Sequence, residues 1–489
     1  MKLSTKSAAA MILLMGLATS CASDVETGIN PDPQGNAINF AASVGRSARA
    51  TEIDIENLGD FAVIARGMHP NGTLYDHYLI GDSNKGEIAH FESNTDDNSG
   101  IWKLDRSVYW PSTMDRLFFI AYTTLTRDKG SSENDVLGGA TFSVSSDIPT
   151  ISNFKPFKAP LSTTAGQRIW ADGEGQKDLL VAFQQQDKGI QTTVDLNFRH
   201  ALTQVSIKAK QNGKADTDNR IVKIKGAWIV NAAESGTLTA SIEVKDKVAT
   251  NKTFWTASNN ETYGSYYTDI ISLNKDFDRD LLHHTLMLVP QNLTAWDKTS
   301  ADVNGAYIML LCRVELEHEG STHEGTDITD IGIVENEDPS KEGKHYHQLF
   351  PVNSTYDGAQ YGFVCVPFST DWADRLNEAA EDCKGSGMHY TYNLDICGAT
   401  SGAGIYPPIT EENAQDLIDK LIPEGAEVSA LVLNGDKYNE QTVDLKIVAT
   451  RPTGKNIGDA ILDEPIKFSV SVSDWKNPDD SWQDGNVSL

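Results

Sequence analysis

Alternation of apolar and polar residues with a period of two is the feature of this chain that most restricts its fold. In the segment 466–473, every even position is Ile, Phe or Val and every odd position is Lys or Ser. The segments 38–44 and 194–198 also alternate, and 117–122 is a short continuous apolar run. Successive side chains of a β-strand point to opposite faces of a sheet, so these patterns predict strands with one or both faces buried. Clusters of Gly, Asn, Asp and Ser separate many such segments, which favours an all-β fold built of β-sandwiches.

Two segments predict a few accessory helices beside the sheets. The segment 371–383 follows Ser369 and Thr370, and either residue could cap a helix. The segment 411–422 follows Thr410 and places apolar residues at 414, 417, 418 and 421, which form one face of a helix. We expect both helices to pack against the C-terminal half of the chain.

The first residues of the chain have the pattern of an export signal. Two lysines precede an apolar stretch at 8–18, and small residues then lead to Cys21. The stretch is too short to span a membrane, which takes about 20 apolar residues. A cysteine at the cleavage point predicts a lipoprotein signal at 1–20 with Cys21 acylated after cleavage; the alternative is an ordinary signal peptide with an incidental cysteine. The polar segment 21–36 then predicts a flexible tether between the membrane and the folded protein.

The charge of the chain excludes one class of partner. Its 41 Lys and Arg residues and 69 Asp and Glu residues give a net charge of −28. A protein this acidic repels nucleic acid and anionic lipid surfaces, so we expect no nucleic-acid binding and a membrane contact through the lipid anchor only. No apolar run after the signal approaches the length of a membrane span. The length of 489 residues is enough for two or three domains.

The cysteines after the signal do not form a metal-binding or redox motif, because no C-x-x-C pair is present. Cys312 and Cys365 lie in apolar runs and are predicted to be buried thiols of strands. Cys383 and Cys397 could form a disulfide in an oxidising compartment, although their spacing does not decide between a bridge and two thiols.

Other polar clusters offer no candidate for catalysis. The aspartates of the segment 276–280 alternate as calcium ligands can, but the glycine and the distal glutamate of an EF-hand are missing, which favours a solvated loop. His345 and His347 could face one side of a strand as zinc ligands, but the sequence offers no evident third ligand. Residues 398–404 place a serine in the wrong register for a hydrolase nucleophile. We therefore expect no catalytic site, no metal and no cofactor.

The first predicted strand is followed by a basic loop. One face of this strand carries four apolar residues: Ile38, Phe40, Ala42 and Val44. Arg46 and Arg49 follow the strand directly. A trypsin-like protease could cut after either arginine and separate the strand from the rest of the chain. The alternative is a permanent first strand followed by two solvated charges.

Four stretches of the sequence, taken in order, form a signature. The first is FAASVGRSARATEIDIENLGDFAVIA at 40–65, which reads as a strand, an arginine-containing loop and a second strand. The second is YWP followed by LFFIAY within 109–122, and the third is DLLVA followed by VDLNFRHAL within 178–202. The fourth is the closing strand at 468–475. Together with the lipoprotein signal, these stretches resemble the fimbrillin family, the type V pilins of Gram-negative anaerobes.

The resemblance implies two tandem transthyretin-like β-sandwich domains, which we place at 37–189 and 190–475, followed by a polar tail at 476–489. It also implies a lipidated precursor that reaches the outer surface of the cell and loses its first strand to an arginine-specific protease. The groove left behind would accept a strand from the next subunit, because an open sheet edge presents unpaired backbone groups. The implied partners are other fimbrial subunits, the maturation protease and an unidentified receptor on a host or bacterial surface.

On this interpretation the chain is an outer-membrane lipoprotein precursor that becomes a subunit of the fimbrium. The tail KNPDDSWQDGNVSL has no alternating apolar run, and burying its carboxylates would be costly, so it makes a poor donor strand. We therefore expect a chain-terminating subunit at the tip, with the C-terminal half as its adhesive head. The alternatives are a stalk subunit that donates residues 466–475, a monomeric lipid-anchored protein that binds glycan or host protein, and, last, a glycan hydrolase.

Overall fold

The computed structural model describes residues 37–44, 58–93, 100–124, 136–157, 176–189, 193–245, 248–298, 304–319, 330–332, 344–353, 356–370, 386–434, 437–462 and 464–474. This part of the chain forms 24 strands and one helix. The prediction of a nearly all-β protein is therefore confirmed.

The strands are numbered in chain order. Those of the N-terminal part are β1 (Asn39–Val44), β2 (Phe61–Met68), β3 (Leu74–Ile80), β4 (Glu87–Ser93), β5 (Gly100–Leu104), β6 (Arg116–Thr123), β7 (Thr141–Ser145), β8 (Ile148–Phe154), β9 (Leu180–Asp187) and β10 (Thr193–His200). Those that follow are β11 (Thr203–Lys210), β12 (Arg220–Lys245), β13 (Val248–Ser272), β14 (Arg279–Asp280), β15 (Leu286–Leu288), β16 (Tyr307–Glu319), β17 (Asp330–Gly332), β18 (Lys344–Phe350), β19 (Gln360–Pro367) and β20 (Met388–Asp395). The last elements are the helix α1 (Ala414–Leu421) and the strands β21 (Glu427–Asn434), β22 (Lys437–Asp444), β23 (Lys446–Val448) and β24 (Lys467–Asp474).

Eight of the first ten strands form one sheet, in the order β3-β2-β4-β5-β1-β10-β9-β6, and β2 also pairs with β6. The path from β2 through β4, β5, β1, β10, β9 and β6 therefore returns to β2 and closes a ring of seven strands. Four large aromatic side chains from different strands of this ring pack in one core, each at most 2% exposed: Phe40, Phe61, Trp102 and Phe119. Closure matters because a closed sheet has no free edge, whereas an open one presents unpaired backbone groups.

The C-terminal part contains two sheets that pack face to face. One has five strands, in the order β14-β11-β20-β24 with β15 beside β11. The other has nine, in the order β17-β18-β16-β12-β8-β7 with β13, β19 and β23 attached. Side chains of β11, β20 and β24 share a core with side chains of β12 and β16. Two sheets packed in this way each bury one row of alternating side chains, which is the pattern that the sequence shows.

The strand β16 is buried on both faces. Ile308 and Leu310 belong to the core shared with the five-stranded sheet. Met309 and Leu311 belong to a different core, which includes residues of α1 and β21. The run 307–312 is continuously apolar because neither row of its side chains faces water.

Sheet membership does not follow the predicted division of the chain between 189 and 190. β10 lies after this point but pairs with β9 and β1 in the first sheet. The hairpin of β7 and β8 lies before it but joins the nine-stranded sheet through pairs between β8 and β12, such as Ile151 with Leu238. The limits 37–189 and 190–475, and the transthyretin-like arrangement, stay predictions.

The helix predicted at 411–422 is confirmed as α1, which packs on the core on the other side of β16. Its N-cap is Asn413. The Thr410 carbonyl accepts a hydrogen bond from Ala414 N at 3.0 Å, and Thr410 N donates to Asn413 Oδ1 at 2.8 Å. The other predicted helix, at 371–383, lies outside the described residues.

The prediction of two buried thiols in strands is confirmed. Cys312 lies in β16 and Cys365 in β19, and each is at most 1% exposed. Burial raises the pKa of both thiols, so they stay protonated and unreactive at neutral pH. Cys397 is fully buried. Cys383 lies outside the described residues, so its pairing with Cys397 stays a prediction.

Candidate functional site

The first strand is the element of the ring that closes it. β1 runs parallel to β10 and pairs with it at six positions, from Asn39 with Thr193 to Val44 with Phe198. On its other side β1 pairs with β5 at one position, Phe40 with Trp102. In the described part of the chain, β1 is the strand that connects β5 to β10. Without β1 the ring would therefore open between these two strands.

The inward face of β1 fills the core of the ring. Ile38 is 3% exposed, Phe40 is fully buried and Val44 is 9% exposed, while Ala42 packs at the margin of the same core. The opposite face is polar or partly exposed, and Ser43 Oγ on that face donates a hydrogen bond to Asn197 Oδ1 at 3.4 Å. The strand thus inserts one row of apolar side chains into a slot lined by β5, β10 and the core.

The centre of this slot is an aromatic pocket around Phe40. The Phe40 ring meets Phe61 and Phe119 edge to face, with both centroid distances 6.1 Å. Edge-to-face packing adds about 0.5–1.5 kcal/mol to the stabilisation from burial alone. The N-terminal end of the slot is closed by a hydrogen bond in which Ile38 N donates to the Val108 carbonyl at 2.8 Å. One large aromatic side chain, at one defined position along the strand, therefore fills the pocket.

The structure covers only part of the predicted site. It places Ile38, Phe40, Ala42 and Val44 together in the slot. Cys21, Arg46 and Arg49 lie outside the described residues, so acylation and cleavage stay predictions. The alternation of β10 identified a strand, but nothing in the sequence identified β10 or Trp102 as partners of β1, because pairing between distant strands leaves no local pattern.

The alternative donor strand, β24, is engaged in its own sheet. It pairs antiparallel with β20 at eight positions, from Lys467 with Asp395 to Asp474 with Met388. Ile466 and Val470 are buried in the sandwich core. β24 ends the strand order of its sheet, so within the described residues its other edge has no strand partner. Trp475 and the tail lie outside the described residues.

The serine of the 398–404 segment has a structural contact that the sequence did not reveal. Ser401 Oγ donates a hydrogen bond to the Asp395 carbonyl at the end of β20. It also accepts one from Lys467 N, at the start of β24, at 2.7 Å. Ser401 therefore links the start of β24 to the end of β20 through two hydrogen bonds.

The other polar clusters do not converge on a site. Asp278 forms an ion pair with Lys210 at 3.3 Å, and Asp280 lies 3.8 Å from Lys208. His347 is buried in β18. Among the described residues, no three His, Cys, Asp or Glu side chains are grouped so as to hold a metal ion. Within the same residues, no helix has the length and apolar character needed to cross a membrane.

The model of one protein family matches this chain. It is described as fimbrillin-like, and it matches residues 49–310, which is more than half of the 489 residues. The chain belongs to the fimbrillin-like family. The match begins after β1 and includes the rest of the seven-strand ring and much of the nine-stranded sheet. No curated protein matches this fimbrillin-like chain in sequence.

Solved structures show a loose likeness to this fimbrillin-like chain. A fimbrial protein from Bacteroides vulgatus is 14% identical, with a TM-score of 0.37, and the match covers 73% of this chain and 94% of that one. A structure from Parabacteroides distasonis described as a cell adhesion protein is 10% identical, with a TM-score of 0.35, and the match covers 91% and 98%. A third, from Bacteroides eggerthii with the same description, is 10% identical, with a TM-score of 0.32 and coverage of 86% and 99%.

Proposed function

We propose that this chain is the precursor of a fimbrial subunit that assembles by strand exchange. Membership of the fimbrillin-like family supports a fimbrial or adhesion role at the cell surface and assembly with other fimbrial subunits. In the proposal, Cys21 carries the lipid anchor of the precursor in the outer membrane. A protease cuts after Arg46 or Arg49, and a strand of another subunit replaces β1. The two tandem transthyretin-like domains implied by the family are part of the same proposal.

The observation that carries the proposal is the position of β1 in the ring. Its loss would leave backbone groups of β10 unpaired over six residues and would uncover the pocket of Phe40. Burying a large apolar side chain contributes about 1.5–3 kcal/mol, and an open edge is a template for another strand. Backbone pairing would then give affinity, and the alternate side chains would give specificity. An open ring is therefore unstable alone and is stabilised by an incoming strand.

We propose the tip as the place of this subunit in the fimbrium. A stalk subunit must also donate a strand, and β24 is the segment with a suitable pattern. The contacts of β24 support a strand that stays in its own sheet. It pairs with β20 along its length, and Val470, together with Ile466 just before the strand, lies in the sandwich core. A subunit that accepts a strand but keeps β24 would end the chain. Immunogold labelling at one end of the fimbria is the expected result, and labelling along the shaft would overturn the tip assignment.

Strand exchange can be tested on the mature chain, residues 21–489. A trypsin-like protease first cuts after Arg46 or Arg49, and a fluorescent peptide of residues 37–45 is then added. We expect the labelled peptide to replace β1 and to co-migrate with the protein, while uncut protein takes up none. A peptide with Phe40→Asp is the matched control, because a carboxylate does not fit the aromatic pocket. Failure of the cut protein to bind the native peptide would overturn strand exchange and favour a monomeric lipid-anchored surface protein.

A further inference from the structure

A polar cleft lies apart from the β1 slot, beside the long hairpin of β12 and β13. Its volume is about 340 Å³, within the range of roughly 300–1,000 Å³ that ligand pockets occupy. One wall is the segment 257–260 of β13, and the facing wall is the segment 291–294 with Asn304 and Ala306. The cleft is therefore built from the C-terminal part of the chain, where the adhesive head was expected.

The described lining of the cleft consists mainly of amides and hydroxyls. The side chains that give it this character are Asn259, Asn260, Gln291, Asn292, Thr294 and Asn304. None of its described lining residues is charged. Glu261, the next residue on β13, forms an ion pair with Lys420 of α1 and is not part of the lining. The cleft is thus polar and electrically neutral within a strongly acidic protein.

The walls of the cleft are fixed by hydrogen bonds of its framework. The Gln291 amide is used at both ends: Oε1 accepts from Ala233 N at 2.8 Å, and Nε2 donates to the Val289 carbonyl at 2.9 Å. Thr370 Oγ1 donates to the Gln291 carbonyl at 2.8 Å and accepts from Leu293 N at 2.9 Å. These bonds hold the 291–294 wall in place without a ligand, which reduces the entropy that binding would cost.

Hydrogen bonds also fix the other side of the cleft and its floor. Asn231 Nδ2 donates to the Gly305 carbonyl at 2.9 Å. Trp255, in the floor, is 8% exposed, and its indole N–H donates to the Ala201 carbonyl at 2.7 Å. Asn231 and Asn259 both have left-handed backbones, with φ of 66° and 57°. Such conformations are uncommon outside glycine and direct side chains away from the usual strand positions.

From this geometry we propose that the cleft binds a neutral carbohydrate. An amide offers two N–H donors and a carbonyl acceptor, which match hydroxyl groups that both donate and accept. An acidic glycan would need a cation in the lining and would be repelled by the net charge of −28. A charged peptide would need ionic partners, which the described lining lacks. The inference deepens the proposed adhesive function, but saccharide binding can be measured independently of strand exchange.

The test uses the mature chain, residues 21–489, on an array of neutral, sialylated and sulfated oligosaccharides and a peptide library. Calorimetric titration with the best neutral oligosaccharide then follows. We expect binding of neutral saccharides. Ala257→Trp, which fills the cleft from β13, should abolish it, and Asn260→Ala with Asn292→Ala should weaken it at least tenfold. Thr256→Ala is the matched control, because Thr256 is exposed on the same strand but does not line the cleft.

Each other outcome decides against the proposal. Absence of binding to neutral saccharides at millimolar concentration would overturn it, as would binding that Ala257→Trp leaves unchanged. A preference for sialylated or sulfated glycans would overturn the assignment to neutral sugars. Peptide binding blocked by Ala257→Trp would assign the cleft to a peptide instead. Loss of saccharide binding with intact uptake of the 37–45 peptide would separate failure of this inference from failure of strand exchange.

Discussion

The strands at the two ends of the described chain, β1 and β24, have the same alternating pattern but are held in different ways. β1 lies between two strands and closes a ring, whereas β24 ends its sheet and pairs with β20 alone. Phe40 of β1 is fully buried, whereas Phe468 of β24 is only partly buried. Alternation of apolar residues therefore identifies a strand but does not say whether the strand fills a slot or forms the edge of a sheet.

The two environments suit opposite roles in assembly. A slot with two sides and a deep central pocket can be emptied and filled by another strand of the same pattern. An edge strand can leave its sheet without opening a ring, but it then uncovers one face of the sandwich core. In this chain Ile466 and Val470 oppose such a departure, and Ser401 fastens the start of the strand.

The largest expected effect is on the stability of the ring. Phe40→Ala should lower the free energy of unfolding by about 3–5 kcal/mol, because it leaves a cavity between Phe61 and Phe119. Phe468→Ala, the matched change in β24, should cost less than half as much because its side chain is partly exposed already. Urea denaturation of both variants measures this difference. An equal or larger cost for Phe468→Ala would show that β24 is the more deeply integrated strand.

The second prediction concerns a buried charge in the sandwich. Glu315 of β16 is fully buried, 2.7 Å from Lys223 Nζ, and accepts hydrogen bonds from Arg313 Nε at 2.5 Å and Tyr356 OH at 2.8 Å. Burial acts to raise the pKa of Glu315, but the charges of Lys223 and Arg313 outweigh it and lower the pKa to about 2. Its ordinary value is 4.5.

A lowered folded-state pKa means that this stabilisation is present above pH 4.5 and is lost as the pH falls towards 2. At about 1.4 kcal/mol per pKa unit, the whole loss amounts to roughly 3–4 kcal/mol, of which about 2 kcal/mol is lost between pH 6 and pH 3. Urea midpoints between pH 6 and pH 3 measure it, and peptide-resolved hydrogen exchange should locate the loss in β16 rather than β2. Glu315→Gln should flatten this pH dependence. An unchanged pH dependence in that variant would contradict the assignment.

The third prediction separates a fixed β24 from a donor strand. Ser401→Ala removes the hydroxyl that joins Lys467 N to the Asp395 carbonyl and should cost about 1 kcal/mol. Exchange of the amides of β24 should accelerate, while that of β1 should not. If β24 were the donor, the same change should increase assembly of subunits. Unchanged or reduced assembly is expected for a tip subunit, and longer fimbriae would favour the stalk alternative.

Much of the fold can be predicted from local sequence patterns, but the rest depends on pairing between strands that lie far apart in the sequence. The continuous apolar run 117–122 predicted a strand buried on both faces, which is β6, and the apolar spacing within 411–422 predicted α1. The ring was not predictable, because β1 is parallel to a strand about 150 residues further along the chain. The cleft was missed for a related reason: Asn231, Asn260 and Asn292 are turn and surface residues in the sequence and come together only in space.

The fourth prediction combines the smallest expected change in the free energy of unfolding with the largest expected change in fimbrial assembly. The sequence predicts that both arginines are solvated, and changes at such positions usually cost little. Arg46→Ala with Arg49→Ala should therefore alter the free energy of unfolding by no more than about 0.5 kcal/mol, yet should block cleavage and leave β1 in its slot. Arg46→Lys with Arg49→Lys is the matched variant: a general trypsin-like protease still cuts it, and an arginine-specific one does not. N-terminal sequencing of the surface protein distinguishes a start at Cys21 from a start at 47 or 50. Normal fimbriae that contain the uncut double alanine variant would show that β1 is a permanent strand, and would remove the difference between β1 and β24 on which strand exchange depends.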